Sequence, residues 1–203
     1  MSKSFVSMYA TVLLTACLAS GPAAAEATQP LSTAQSGVDL SRIAIDNFGQ
    51  LNAHFYRGGQ PLRGDYADLA SLGVKTVIDL QADGQLEEER LVRDAGMAFH
   101  RIPMTTHVAP TDQQIAEFLG LVSDPAAQPV YVHCAGGRHR TGVMSAIYRM
   151  TADGWTADQA FSEMKHYKFG MDFLHPEFKS FVYAYDGQLH HAAAPSRVVA
   201  AMH

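Results

Sequence analysis

One short stretch constrains the fold most, because a strand, a tight turn and a helix follow one another there without a linker. Residues 130–133 read VYVH, an apolar run typical of a buried strand. Gly136 and Gly137 then allow the backbone to turn sharply. The next helix is predicted to begin at about Thr141 and to end at about Thr151. A strand that passes directly into a helix is typical of layered α/β proteins.

The same alternation of strands and helices runs along most of the chain. Further strands are predicted at residues 53–57, 75–80 and 98–102. Helices are predicted at residues 66–71, 85–95, 111–122, 141–151, 157–165 and 176–185. We therefore expect an α/β fold with a central, mostly parallel sheet of four to five strands and helices on both faces. Ligands bind such sheets at the carboxyl ends of strands, which is where Cys134 falls.

Three expectations concern residues that would support this sheet or the loop that follows it. On the helix predicted at 85–95, Leu86 and Leu91 are expected on the inner side. The charged run EEER at 87–90 is expected to be a solvated helix face. His133, which ends the fourth predicted strand, is expected to orient the following loop by hydrogen bonding.

Length and composition fit one compact domain with tails, since the chain has 203 residues, of which 47% are apolar and 17% charged. The net charge is −5 and the Lys and Arg residues are scattered, so no nucleic-acid partner is expected. We divide the chain into a signal peptide (1–25), a flexible leader (26–50), a catalytic domain (51–186) and a tail (187–203). The tail is rich in Ala and His and is expected to be frayed.

The N-terminus has the pattern of an export signal. Residues 5–18 are mostly apolar, but this run is shorter than the roughly 20 residues that span a membrane. Residues 21–25 read GPAAA, which favours cleavage after Ala25. Residues 14–17, LTAC, alternatively resemble a bacterial lipobox, with Cys17 as the lipid anchor. We expect a periplasmic or secreted protein, or a membrane-anchored lipoprotein, with no transmembrane span in the mature chain.

The chain has two cysteines, Cys17 and Cys134, and cleavage after Ala25 would leave Cys134 alone. In an oxidising compartment an unpaired thiol is either buried and inert or kept for its reactivity. The residues that follow Cys134 favour reactivity.

Residues 134–140, called the Cys134 loop below, are predicted to bind an anion. The backbone N–H groups of the Cys134 loop are expected to converge at a helix N-terminus. Their positive field favours a nucleophilic thiolate at Cys134. The planar fork of Arg140 matches two phosphate oxygens, and Thr141 can donate a hydrogen bond to the sulfur. The expected substrate-binding residues are Ala135, Gly136, Gly137, Arg138, His139 and Arg140. This chemistry needs no metal and no cofactor.

At these residues the chain resembles a known family. His133 and Cys134, five further residues, then Arg140 and Thr141 match the H-C-x5-R-[ST] signature of protein tyrosine and dual-specificity phosphatases. Residues 55–61 (FYRGGQP) and 72–80 (LGVKTVIDL) are similar to segments of exported bacterial dual-specificity-like tyrosine phosphatases. The resemblance covers about residues 50–185. It implies the cysteine-phosphatase fold and a cysteine-dependent phosphomonoesterase that works through a phosphocysteine intermediate.

The chain departs from this family at one position. Members carry an Asp between the third strand and the next helix, where it protonates the leaving group. With Pro103 and Pro110 as anchors, that position falls on Thr106. His107 is the tentative acid in its place; Asp112, or no protein acid at all, are the alternatives.

The same residues are also compatible with other functions and other substrates. The missing acid is compatible with a phosphate-binding pseudophosphatase, whereas the loop is one residue longer than in rhodanese-like sulfurtransferases. Zinc at His133, Cys134 and His139 lacks a fourth ligand. Arg138 and His139 either favour multiply charged ligands such as inositol phosphates or form a solvated rim. The expected partner is a phosphorylated protein or a small phosphorylated ligand.

Overall fold

The computed structural model describes residues 40–193. The predicted signal peptide, Cys17, most of the predicted leader and the end of the predicted tail lie outside the described residues. Within residues 40–193, none of the helices combines the length and the apolar character that a membrane span requires.

Five strands form one sheet in the spatial order β1-β2-β5-β3-β4. They are β1 (Gly49–Asn52), β2 (Phe55–Gly58), β3 (Thr76–Gln81), β4 (Ala98–Met104) and β5 (Val130–His133). β1 and β2 are antiparallel, whereas the β2–β5, β5–β3 and β3–β4 pairs are parallel. The predicted mostly parallel sheet is confirmed. The sequence pattern does not predict β1, because its residues GQLN lack apolar alternation and are held by pairing at the sheet edge.

Six α-helices and two 3₁₀ turns connect the strands within the described residues. The helices are α1 (Asp65–Ser71), α2 (Glu88–Asp94), α3 (Asp112–Ser123), α4 (Arg140–Ala152), α5 (Ala157–His166) and α6 (Pro176–Ala193), and the turns are Leu40–Arg42 and Asp172–Leu174. Thr111 caps α3 in a capping box with Gln114, which explains why this boundary was predictable. α6 continues through residues 187–193, where the sequence pattern predicts a frayed tail.

Helices cover both faces of the sheet, as predicted. Side chains alternate between the two faces along each strand, so neighbouring residues of β5 belong to different apolar clusters. Val132 packs with residues of α3 to α6, and Tyr131 packs with residues of α1 and α2. β5 is therefore buried on both sides, and its carboxyl end lies in the middle of the sheet.

α2 overturns two expectations. Leu86 was expected on the inner side of the helix, but it precedes the first turn and its side chain is 96% exposed. Glu88, expected on a solvated face, is buried together with Val92. The remaining charged residues of the run, Glu87, Glu89 and Arg90, are exposed. Both expectations are wrong because α2 begins at Glu88. Leu86 therefore lies before the helix, and the buried residues of the helix are Glu88 and Val92, which lie four positions apart on one face.

Candidate active site

The Cys134 loop joins β5 to α4 at the carboxyl end of the middle strand. Cys134 is the first residue after β5 and is only 3% exposed. His139 is the N-cap of α4 and Arg140 its first residue. The thiol therefore lies where the N-terminal N–H groups of α4 and the field of its dipole converge, as the sequence predicts.

The first half of the loop is tied to the segment that follows β2. The backbone N–H of Gln60 donates a 3.1 Å hydrogen bond to the carbonyl oxygen of Ala135. In a trans peptide the C=O and the next N–H point in opposite directions. The N–H of Gly136 is therefore turned away from Gln60 and toward the side where the cavity lies.

The second half of the loop is tied in the same way, through the carbonyl oxygen of Gly137. It accepts hydrogen bonds from Asn47 Nδ2 at 2.8 Å and from Arg57 Nη2 at 2.5 Å. The same peptide geometry turns the N–H of Arg138 toward the cavity. Two anchored carbonyl groups thus present two amides to an incoming anion.

Gly137 cannot be replaced without strain. Its φ is +64°, in the left-handed region that side chains rarely adopt. A Cβ atom there would lie 2.4 Å from the carbonyl carbon and oxygen of Gly58. The close approach of the loop to the end of β2 therefore depends on this glycine.

The loop and the segment after β4 enclose a cavity of about 250 Å³. Its lining residues are Thr106, Cys134, Ala135, Gly136, Arg138, His139 and Arg140. The structure thus brings together most of the residues predicted for the site, including Thr106 from a distant part of the sequence.

Arg140 reaches from α4 to the opposite wall of this cavity. Its Nη1 donates to the carbonyl oxygen of Met104 at 3.2 Å and to Asp83 Oδ1 at 3.4 Å. The Arg140 side chain is 8% exposed, whereas that of Asp83 is 85% exposed. Asp83 was missed by sequence reasoning, although its place just after the carboxyl end of β3 could have indicated it.

A second, fully buried cation lies beneath the loop. Arg57, whose side chain donates to Gly137, stacks 4.0 Å from the centre of the Tyr167 ring. Burial lowers the pKa of Arg57 to about 10, against the opposing effects of Tyr167, Glu163 and Cys134. The guanidinium therefore stays protonated at neutral pH and adds positive charge near the thiol.

A buried polar cluster supports the loop from the other side. Glu88 Oε1 accepts hydrogen bonds from Gln60 Nε2 at 2.7 Å and from Tyr66 at 2.9 Å, and lies 3.0 Å from His133 Nε2. Burial alone would raise the pKa of Glu88, but these contacts outweigh it and the pKa is lowered. The His133 ring thus contacts Glu88, and Gln60, which bonds Ala135, links this cluster to the loop.

The predicted acid His107 does not line the cavity. Its φ is +72° and its ring stacks on His175, with 4.7 Å between ring centres. His107 Nδ1 lies 3.3 Å from Glu177 Oε1, and the side chain is 63% exposed. Asp112, the other candidate, begins α3 and is exposed. Only Thr106 of this segment faces the cavity.

His139 is held in the cavity wall. Its Nε2 lies 3.1 Å from the carbonyl oxygen of Phe169, and its ring centre is 3.6 Å from that of His175. Burial, and next the charge of His175, lower the pKa of His139, so the ring is neutral at neutral pH. Of the two expected rim cations only Arg138 is therefore charged; it lies 3.4 Å from Asp46, whose carboxylate also pairs with Lys168 at 2.8 Å.

Comparison with known proteins agrees with this geometry. The family model described as "DSP-PTPase phosphatase fused to NAD+ Kinase" matches residues 38–179. The chain therefore belongs to this family of dual-specificity-type phosphatases. The resemblance, the cysteine-phosphatase fold and the phosphatase activity expected from the sequence are confirmed.

Individual relatives place the chain among cysteine phosphatases. It is 27% identical to inositol diphosphatase DSP2 of Oryza sativa over 70% of this chain and 72% of that protein. It is 32% identical to the dual specificity protein phosphatase TpbA of Pseudomonas aeruginosa strain UCBPP-PA14, over 78% and 70% of the two chains. A crystal structure of P. aeruginosa TpbA in complex with phosphotyrosine aligns with a TM-score of 0.61 at 25% identity, covering 73% of this chain and 91% of that one.

Proposed function

We propose that this phosphatase hydrolyses phosphate monoesters through a phosphocysteine intermediate on Cys134. The observation that carries the proposal is the cavity in which the thiol, the inward-facing loop amides and Arg140 meet. A phosphoryl group in this cavity can contact all three once Arg140 exchanges its contact with Asp83 for a phosphoryl oxygen.

In the first step, the amides of Gly136 and Arg138 and the fork of Arg140 bind the phosphoryl oxygens. Cys134 Sγ attacks phosphorus in line; the S–P bond forms, the P–O bond to the leaving group breaks, and the leaving oxygen takes a proton. Arg140 must release Asp83 as it binds phosphate, and the 3.4 Å length of that contact makes the exchange easy.

In the second step, water attacks the phosphocysteine, and the S–P bond breaks to give inorganic phosphate and the thiolate. Among the described residues, no group hydrogen-bonds the buried hydroxyl of Thr141. Buried hydroxyls normally have partners. We assign this one to the departing sulfur, whose negative charge it stabilises.

The leaving oxygen needs a proton donor, and two residues are candidates. His107 is the donor predicted from the sequence, and Asp83 is the one that the geometry adds. Asp83 contacts Arg140, which lines the cavity, whereas His107 is turned onto His175. We therefore favour Asp83.

We propose phosphotyrosine-containing protein as the substrate, ahead of inositol phosphates. TpbA, the relative whose structure contains phosphotyrosine, supports this choice, whereas the name of the rice relative points to inositol diphosphates. The rim carries only a modest net positive charge, since His139 is neutral and Arg138 and Lys168 share the single carboxylate of Asp46. Val108 and Phe173, both exposed, offer apolar contacts beside His107 and His175.

The test compares wild type with Cys134→Ser on p-nitrophenyl phosphate. We expect turnover to fall roughly 10⁴-fold, because removing a nucleophile abolishes the covalent route. Acid quenching of wild type during turnover should trap protein-bound phosphate, and the variant should trap none. A substitution effect below about tenfold, with no trapped phosphate in wild type, would contradict the mechanism. Phosphotyrosine peptides and inositol phosphates, compared by kcat/KM, then decide the substrate class.

We also propose export from the cytoplasm, on the basis of the apolar run at 5–18 and the GPAAA stretch at 21–25. The mass of the mature protein distinguishes cleavage after Ala25 from lipidation at Cys17. A protein that keeps Met1 and stays with the cytoplasm would contradict both routes.

A further inference from the structure

A cluster of three side chains beside the cavity has no part in the proposed reaction. It consists of His107, His175 and Glu177, whose ligand-type atoms all lie within 4.8 Å of one another. Glu177 Oε1 lies 3.3 Å from His107 Nδ1 and 3.3 Å from His175 Nδ1. One carboxylate oxygen is thus equally distant from two imidazole nitrogens.

These distances match those of a zinc tetrahedron. With metal–ligand bonds of about 2.0–2.1 Å, neighbouring ligand atoms of a tetrahedral Zn²⁺ are about 3.3 Å apart. Two imidazole nitrogens and one carboxylate oxygen are a donor set that Zn²⁺ prefers, with water in the fourth position. His107 must tilt out of its stack on His175 for both nitrogens to face one ion, and its 63% exposed side chain is free to do so.

The other two ligands are already positioned. His175 is 8% exposed and its ring packs against those of His139 and Phe178. The segment that leads into α6 is fixed by Asp172, which pairs with Lys165 and Lys179, each at 2.7 Å. An ion would therefore meet a largely preorganised pair, which reduces the entropy cost of binding.

The backbone of His107 is a second, independent observation. Its φ of +72° lies in the left-handed region that residues with a side chain rarely adopt. Such strain persists where the surrounding structure requires the conformation, and here it directs the ring toward α6. The residue just before it, Thr106, lines the catalytic cavity.

We propose that His107, His175 and Glu177 form a Zn²⁺ site that regulates the phosphatase. Bound zinc fixes the segment 105–111 against α6, so that the wall of the cavity that carries Thr106 can no longer adjust to substrate. Zinc therefore inhibits turnover, and removal of zinc restores it. This site is separate from the combination of His133, Cys134 and His139 considered from the sequence.

The test is a calorimetric titration of Zn²⁺ into the chelator-treated full chain carrying Cys134→Ser. This background excludes binding by the catalytic thiol and does not depend on activity, so the result stands even if the catalytic proposal fails. We expect one site per chain. Glu177→Gln, at the surface of α6, and His175→Gln should each weaken binding at least about tenfold.

Two control variants keep the site intact. His100→Gln removes an exposed imidazole elsewhere, and the double variant His190→Gln, His191→Gln removes the pair that the sequence marks as an adventitious metal binder. Both should bind zinc like the parent. In the active chain, micromolar zinc should slow hydrolysis of p-nitrophenyl phosphate, and EDTA should reverse the effect. Glu177→Gln should lose most of this inhibition relative to its own rate in EDTA.

Three outcomes would overturn the proposal. Binding that survives both Glu177→Gln and His175→Gln would place the ion elsewhere. Loss of zinc binding in the double variant His190→Gln, His191→Gln would show that the ion binds only at an adventitious site in the tail. Binding that is present with Cys134 but absent from the Cys134→Ser background would show that zinc binds the catalytic thiolate.

Discussion

Two regions of the molecule meet at the cavity, and they are built differently. The Cys134 loop is buried at Cys134, Gly137 and Arg140 and is held by hydrogen bonds from Gln60, Asn47 and Arg57 to its carbonyl oxygens. The segment 105–111 is mostly exposed at its tip, from Thr105 to Val108. In the proposed mechanism the first region binds the phosphoryl group, which is common to all phosphomonoester substrates, and the second faces the leaving group, which differs between substrates.

The difference shows which of the two regions tolerates amino-acid substitution. A loop whose carbonyl oxygens are held by specific hydrogen bonds loses its geometry when one of these contacts is removed, because unsatisfied polar groups inside a protein are costly. An exposed segment can exchange residues at little cost, since water replaces the lost contacts. This contrast explains how Thr can occupy position 106 while Cys134 and Arg140 keep the family pattern.

The sharpest test of the Cys134 loop is Gly137→Ala. The added Cβ would clash with Gly58 and strain φ, so the loop amides should lose their alignment. We expect the kcat/KM for p-nitrophenyl phosphate to fall roughly 10³-fold. Gly136→Ala is the matched control, because its Cβ would meet nothing closer than 3.5 Å. Equal effects of the two substitutions would contradict the claim that the Cys134 loop depends on the backbone conformation of Gly137.

Glu88→Gln tests the buried support of the loop. The substitution removes the buried carboxylate that accepts hydrogen bonds from Gln60 and Tyr66, and we expect the free energy of unfolding to drop by about 3 kcal/mol. Glu87→Gln is the control, since Glu87 is exposed and pairs with Arg63 at the surface. It should change stability by less than about 0.5 kcal/mol. Urea unfolding of both variants provides the comparison, and a stable Glu88→Gln protein would argue against a supporting role.

Two variants test the two candidate acids, Asp83 after β3 and His107 in the exposed segment 105–111. Asp83→Asn should slow hydrolysis of phosphotyrosine, whose leaving group needs a proton, roughly 10²-fold. It should affect p-nitrophenyl phosphate much less, because nitrophenolate leaves without protonation. His107→Gln should change both rates by less than about threefold if Asp83 is the donor. The opposite ranking would assign the acid to His107, as the sequence predicts.

The smallest effect is expected at His139, whose ring contacts Phe169 and His175 in the cavity wall. Its pKa is lowered by burial, so the folded protein binds fewer protons than the unfolded chain just below the ordinary histidine value of about 6.5. Its contribution to stability is therefore complete above that value and declines as the pH falls through it. His139→Asn should lose less stability than wild type between about pH 7 and 5. His100→Asn, at an exposed position, should follow wild type.

The sequence predicted the parts of the fold that local patterns control. Residues 130–133 are a strand because an apolar run of that length has few alternatives, and Thr111 with Gln114 marks the start of α3. The sequence did not predict the features whose burial or pairing depends on residues distant in the chain. β1 is held by pairing with β2, and Glu88 is buried because His133, Tyr66 and Gln60 compensate its charge.

The sequence by itself determined the chemistry of the phosphate half. Cys134, two glycines and Arg140 lie within seven residues, and a loop between a strand and a helix brings them together whatever surrounds them. Only the tertiary structure decided the leaving-group half and the fine electrostatics of the rim. Asp83, His175 and the adjacent pair Thr106 and His107 come from three separate segments, and their distances depend on how the sheet and α6 pack. Long-range packing of that kind leaves no local pattern in the chain.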